Sequence, residues 1–117
     1  MRTPEGRVAA ALVQAAKENH LYIRKCHWEG RVGAPDYIVL KHGHAFFIET
    51  KAPGERPRPS QVAEFGRIRT EGRTEVFVVD TVQAARNVIQ SISVYQPVHW
   101  GDDAEDLAGL ARREHNA

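Results

Sequence analysis

The chain has 117 residues, 42% of them hydrophobic, a formal net charge of +1 and a single cysteine. That is enough for one folded domain with one core and too little for two, and the hydrophobic content argues against a disordered chain. Cys26 alone excludes an intramolecular disulfide and a cysteine zinc cluster. No run approaches the roughly 18 apolar residues of a transmembrane helix, and the apolar N-terminal stretch is broken by Gln14 and runs into Lys17 and Glu18, unlike a secretory signal. The expectation is a cytoplasmic protein that makes no use of a membrane. Charge is unevenly spread: residues 102–117 carry a net of −3, which leaves +4 on residues 1–101. Arginine outnumbers lysine 12 to 4, which suits bidentate phosphate contacts but also follows genome composition.

Thr3-Pro4-Glu5 reads as a helix start, with Thr3 as cap, Pro4 at the first helical position and Glu5 near the positive end of the dipole. Val8, Ala9, Leu12, Val13 and Ala16 recur at helical spacing, which predicts a helix over 4–19. Leu21 to Lys25 reads as a strand, and HWEGRVGAP (27–35) as a Gly/Pro-marked connection. Tyr37–Lys41 and Ala45–Lys51 read as two strands joined at His42-Gly43, a tight turn in which glycine accepts positive φ. APGERPRP (52–59) holds three prolines and is neither helix nor central strand. Ser60 can cap a helix over about 61–72, Glu75–Val79 is a fourth strand, and Asp80 or Thr81 caps a helix to about 92. Residues 102–114 form a possible short final helix. The order is α-β-β-β-α-β-α, an α/β fold, with residues 1–96 as the main domain and 97–117 as an acidic tail or short helix.

A two-residue turn at His42-Gly43 pairs Lys41 with His44, and counting outward brings Asp36 opposite Glu49. Directly opposed residues have Cβ atoms about 5 Å apart. Two carboxylates that close repel unless a cation lies between them, and Mg²⁺ takes such hard oxygen ligands. Lys51, two residues beyond Glu49, shares its face and can reach a phosphate oxygen or an attacking water; Thr50 points away. A three-residue loop would shift Asp36 by one place. Each residue also has a plain role open to it, Asp36 in a turn after Pro35 and Glu49-Thr50-Lys51 on a solvated edge. Arg31, Arg56 and Arg58 border the group and are candidates for phosphate contact, or else solvated loop charges. His42 and His44 read as turn residues, and Trp28 and Trp100 as packing more than base stacking.

Gly33-Ala34-Pro35-Asp36, then Phe46-Phe47-Ile48-Glu49-Thr50-Lys51, then Pro59-Ser60-Gln61, resembles the VRR-NUC family of the PD-(D/E)xK nuclease superfamily, in particular its short stand-alone phage and prophage members. The likeness covers roughly residues 5–81. It implies a restriction-endonuclease-like core, a mixed sheet flanked by helices. It also implies that Asp36 and Glu49 are metal ligands, Lys51 the catalytic lysine and Gln61 the family glutamine lining the site. The backbone carbonyl of Thr50 is a further candidate ligand. The family's first-helix glutamate matches Glu5, with Glu18 as rival.

The leading expectation is thus a DNA endonuclease using Mg²⁺, with Mn²⁺ able to substitute, that hydrolyses phosphodiester bonds in branched DNA such as Holliday junctions. It would act as a homodimer, with an interface near Val88, Ile89, Ile92, Val94, Tyr95, Val98 and Trp100. The alternative is a non-catalytic DNA-binding or packaging accessory protein on a nuclease scaffold. The chain lacks any Gly-rich cofactor loop or nucleophile motif that would suit a small metabolic enzyme.

Overall fold

The structure, a computed structural model, describes residues 2–97. Helix α1 spans Pro4–Glu18. Strands β1 (Tyr22–Lys25), β2 (Tyr37–Lys41) and β3 (His44–Thr50) follow, then α2 (Pro59–Thr70), β4 (Glu75–Val79) and α3 (Val82–Ser93). The order α-β-β-β-α-β-α is the expected one. Residues 102–114, read from sequence as a final helix, lie outside the described residues, as do Val98 and Trp100. Among the described residues no helix is long and apolar enough to cross a membrane.

The four strands lie in chain order in one mixed sheet. β1, β2 and β3 are antiparallel neighbours, whereas β3 and β4 run parallel. A parallel pair cannot be closed by a tight turn and needs a crossover; residues 51–74, with α2 inside them, supply it. The β2–β3 turn holds His42 at φ 51° and Gly43 at φ 77°. Two positive φ values in succession mark the primed turn whose twist matches the flanking strands. Its register is Lys41↔His44 out to Tyr37↔Ile48, and one step beyond the ladder the Asp36 N–H meets the Glu49 side chain.

Caps fix the helix ends. Thr3 Oγ1 accepts from the Gly6 N–H at 3.0 Å, with Pro4 at the start of α1. Thr81 Oγ1 accepts from the Ala84 N–H at 2.9 Å, so Thr81, not Asp80, caps α3. Asp80 instead accepts from the Gly54 N–H at 3.0 Å and ties the proline-rich segment to the end of β4. Helix α2 starts earlier than its sequence suggests: Arg58 is the N-cap and Pro59 occupies the first turn. Ser60 is therefore a first-turn residue, and Gln61 takes the capping part.

Period-2 alternation splits β3 between two layers. Phe46 and Ile48 join a core with Val8, Leu12 and Ala16 of α1 and Ala85, Val88, Ile89 and Ile92 of α3. Phe47 faces the other side, where Trp28 meets it edge-on with centroids 6.1 Å apart and also bonds α2 through Glu64. Leu12 and Ile89 are fully buried, and truncating either to alanine would cost about 2–5 kcal/mol. The interface expected near residues 88–100 does not hold for Val88, Ile89 and Ile92: all three are core residues of the single chain. Tyr95 leans on this core too, meeting Phe46 edge-on and His44 through its hydroxyl at 3.2 Å, while Val94 stays exposed.

Candidate active site

Glu49 is the hub of the site. It is 2% exposed, on the interior strand β3, and both carboxylate oxygens are engaged. Oε1 accepts from the Asp36 N–H at 3.1 Å, Oε2 accepts from Gln61 Nε2 at 2.8 Å, and Lys51 Nζ lies 3.2 Å from Oε2. Lys51 directly follows β3 and, two residues past Glu49, keeps to the same face. Gln61 reaches them from the first turn of α2, and its Oε1 accepts from the Arg58 N–H at 2.9 Å. Burial pushes the Glu49 carboxyl above the usual range, the Asp36 charge adds to this, and Lys51 and Gln61 partly offset it.

Asp36 is placed where the register puts it, but its carboxylate is turned by different partners. Oδ2 accepts from the Thr50 N–H at 2.9 Å and from the Thr50 hydroxyl at 2.7 Å. Contact with Glu49 runs through the Asp36 backbone N–H. Thr50, expected to point away from the site, has its side chain and amide aiming Asp36 from the other face of the strand. The clue in sequence is that a hydroxyl residue stands on the buried face of a strand.

A cavity of about 220 Å³ is lined by Thr3, Glu5, Gly6, Ala9, Lys25, Asp36, Tyr37 and Thr50. The Thr3 cap sets the start of α1 there and brings Glu5 to the same cavity as Asp36. Glu18 sits at the far end of the helix, accepts from Gln14 Nε2 at 3.0 Å, and lines a separate groove with Arg7 and Arg86. Between the two rival glutamates, Glu5 is the one beside Asp36.

The groups here that could hold a metal offer hard oxygen alone: the carboxylates of Asp36, Glu49 and Glu5 and the carbonyl of Thr50. Among the described residues no three His, Cys, Asp or Glu side chains already converge as a metal cluster. Mg²⁺ is commonly held by one or two protein carboxylates, with water and phosphate completing its shell, so the Asp36–Glu49 pair fits that ion without a third ligand. The Glu49 carboxyl is raised chiefly by its burial and further by the Asp36 charge beside it.

Of the three arginines expected at phosphate, Arg56 and Arg58 are exposed in the segment before α2. Arg31 is also largely exposed and lies 3.8 Å from Glu64. Glu64 was not legible as part of the site. It is buried, accepts from Trp28 Nε1 at 2.8 Å and from Arg67 Nε at 2.9 Å, and these bonds, the Arg67 bond first, hold its carboxyl below the ordinary range. Gly33 packs beside it: at φ 94°, an added Cβ would come within 2.5 Å of the Ser60 carbonyl oxygen. The motif glycine is thus what lets the Asp36 loop lie against α2. His42 and His44 stand at the opposite end of the hairpin from Asp36, as expected.

No protein-family model matches the chain. It is 45% identical over 53 residues to protein p44 of Acyrthosiphon pisum secondary endosymbiont phage 1, whose name proposes a nuclease; the match covers 44% of this chain and 56% of that protein. The chain thus spans a little over half the length of this relative. A solved structure described as a VRR_NUC domain superposes with a TM-score of 0.68 at 35% identity, covering 76% of this chain and 97% of that one. Sequence identity at this level across nearly a whole domain, on the same fold, means that the chain belongs to the VRR-NUC family of PD-(D/E)xK nucleases.

Proposed function

We propose that the chain is a divalent-metal-dependent DNA endonuclease that hydrolyses phosphodiester bonds, with residues 1–96 as its nuclease domain. The observation that carries this is the convergence on Glu49 of the Asp36 N–H, Gln61 and Lys51, all within 3.2 Å in a buried setting. In this reading Asp36, Glu49, Glu5 and the Thr50 carbonyl hold Mg²⁺, or Mn²⁺ in its place. A cation held there would acidify a water and offset charge building on the phosphate.

The chain's own residues do the rest. Gln61 and Lys51 aim Glu49 and favour its ionised form, partly offsetting the effect of its burial. Thr50 fixes the carboxylate of Asp36. Lys51, a buried ammonium, is set to meet a phosphate oxygen and stabilise added negative charge in a water-poor environment. Arg31, Arg56 and Arg58 draw the DNA backbone to the site.

The finer preference we propose is for branched DNA such as a Holliday junction, cut by a homodimer. A four-way junction has two scissile strands related by near two-fold symmetry, one small chain offers one site, and a closed dimer is the commonest oligomer. The phage origin of the matched relative supports work inside a bacterial host.

Incubation with junction, flap, splayed-arm and linear duplex DNA, in Mg²⁺, Mn²⁺ or EDTA, tests the reading. Metal-dependent cleavage strongest on the junction is expected. Full activity of metal-stripped protein in EDTA would refute the metal, and DNA binding with no cleavage in either metal would favour an accessory protein. Sedimentation with and without a junction tests the dimer, which a monomer in both cases would rule out.

A further inference from the structure

Glu64 is a buried carboxylate that the hydrolytic chemistry does not use. It is 8% exposed and lies one turn after Gln61 on α2. A carboxylate in that position is costly unless paired. Trp28 Nε1 satisfies Oε2 at 2.8 Å, while Arg67 and Arg31 both address Oε1, at 2.9 and 3.8 Å. One anion therefore holds two guanidinium groups from different segments, the 27–35 loop and α2. Neither is consumed by the pairing, since the Arg31 and Arg67 side chains remain 61% and 46% exposed. Together with Gly30 and Val32 they line an open surface cavity of about 650 Å³ with no carboxylate among its lining residues. An adjoining cavity of about 350 Å³ is lined by the same two arginines with Glu64 and Glu71, so the cationic face the pair offers is the Gly30–Val32 side, which carries no carboxylate.

Position gives this cation pair a ligand. Arg67 is six residues past Gln61 on α2, about 9 Å along the helix at about 1.5 Å per residue. That equals the rise of two or three nucleotides at about 3.4 Å each. The loop carrying Arg31 ends at Asp36, so both arginines hang from elements that end in the candidate catalytic group. Arg69, two residues on, is directed elsewhere and pairs with Glu75 at 2.8 Å.

We propose that Arg31 and Arg67, set side by side by Glu64, form a binding site for the DNA backbone a few nucleotides from the scissile phosphate. This rests on the nuclease reading and adds Arg67 to it. Glu64 removes the need to order two long side chains at the moment of binding. Guanidinium groups suit phosphate oxygens geometrically as well as by charge.

The test measures affinity of the full chain for a labelled duplex and a four-way junction, with Ca²⁺ replacing Mg²⁺, across a salt series. Arg31→Ala and Arg67→Ala are each expected to weaken binding roughly threefold to tenfold and to lower the slope of log Kd against log salt by about 0.9. Arg67→Lys should keep most of that slope, and Arg69→Ala should bind as wild type does. Thermal melts check folding; should Arg67→Ala fail to fold, Arg31→Ala and Arg67→Lys decide the matter. Wild-type affinity and slope in both alanine variants would overturn the pair while leaving a DNA-binding wild type, and with it the nuclease reading, intact. A wild-type chain that neither binds nor cuts DNA would overturn both.

Discussion

Gln61 joins Glu49 to the start of α2 through a single side-chain amide. Its Nε2 donates to Glu49 at 2.8 Å while its Oε1 accepts from the Arg58 N–H at 2.9 Å. Catalytic geometry and helix capping are therefore one interaction. Gln61→Ala is expected to lower cleavage about tenfold to a hundredfold, because a hydrogen bond to a charged group is worth about 1.5–3 kcal/mol. The lost cap, about 1 kcal/mol, should also lower Tm by about 4–8 °C. Cleavage assays and thermal melts on one preparation check both, and wild-type values in both would remove Gln61 from the site.

Asp36→Asn and Lys51→Ala are expected to reduce cleavage at least a hundredfold while keeping the circular dichroism of the parent. Asp36→Asn should bind DNA as tightly as the wild type or more tightly, since one negative charge near phosphate is gone. It should also weaken Mg²⁺ binding measured by calorimetry without DNA. Unchanged Mg²⁺ affinity in Asp36→Asn would contradict its place as a ligand.

Glu5 and Glu18 allow a matched comparison on one helix. Glu5→Gln should slow cleavage and raise the Mg²⁺ concentration needed for half-maximal rate by several fold. Glu18→Gln, at the other end of α1 and bonded to Gln14, should do neither. Equal effects of the two substitutions would remove Glu5 from the metal site.

Cys26 offers a readout of the charge on Asp36 that does not need DNA. Burial pushes its thiol above the ordinary range, and the Asp36 carboxylate pushes it further. Its backbone N–H donates to the Asp36 carbonyl at 2.8 Å, so the two are neighbours. The thiolate is the reactive form, so alkylation at pH 8 should be slower than for a small free thiol. Asp36→Asn removes the repulsion, lowers the thiol pKa and should speed alkylation. Rates of iodoacetamide labelling against pH measure this, and an unchanged profile in Asp36→Asn would show that the two groups are not coupled.

Much of this site was legible because it sits on a hairpin. Strand periodicity and one tight turn suffice to bring Asp36 to Glu49, and the observed register is the counted one. The helix-start signals of Thr3 and Pro4 likewise put Glu5 in the first turn of α1, whereas its link to the site came from the family resemblance. What sequence could not show depends on long-range docking. Trp28 and Glu64 are 36 residues apart, and nothing local marks them as partners. Ser60 looked like a cap because its type suits one, but Pro59 fits the first turn and Gln61 supplies the acceptor, so the helix begins earlier. Val88, Ile89 and Ile92 looked like surplus apolar surface because their partners, such as Leu12 on α1 and Ile48 on β3, come from distant parts of the chain.

The turn at His42-Gly43 has a consequence for how such a domain can change over time. It acts as a ruler for residues at the other end of the hairpin, because one inserted residue would carry Asp36 past its place opposite Glu49 and disarm the site without touching it. The segment between Lys51 and the Arg58 cap is under a looser constraint, since it is tied at Gly54 to Asp80 but sets no register between Lys51, which follows β3, and Gln61 on α2. Length variation among homologues should therefore gather in the segment after the catalytic lysine and be absent from the two-residue turn, although the turn bears none of the chemistry.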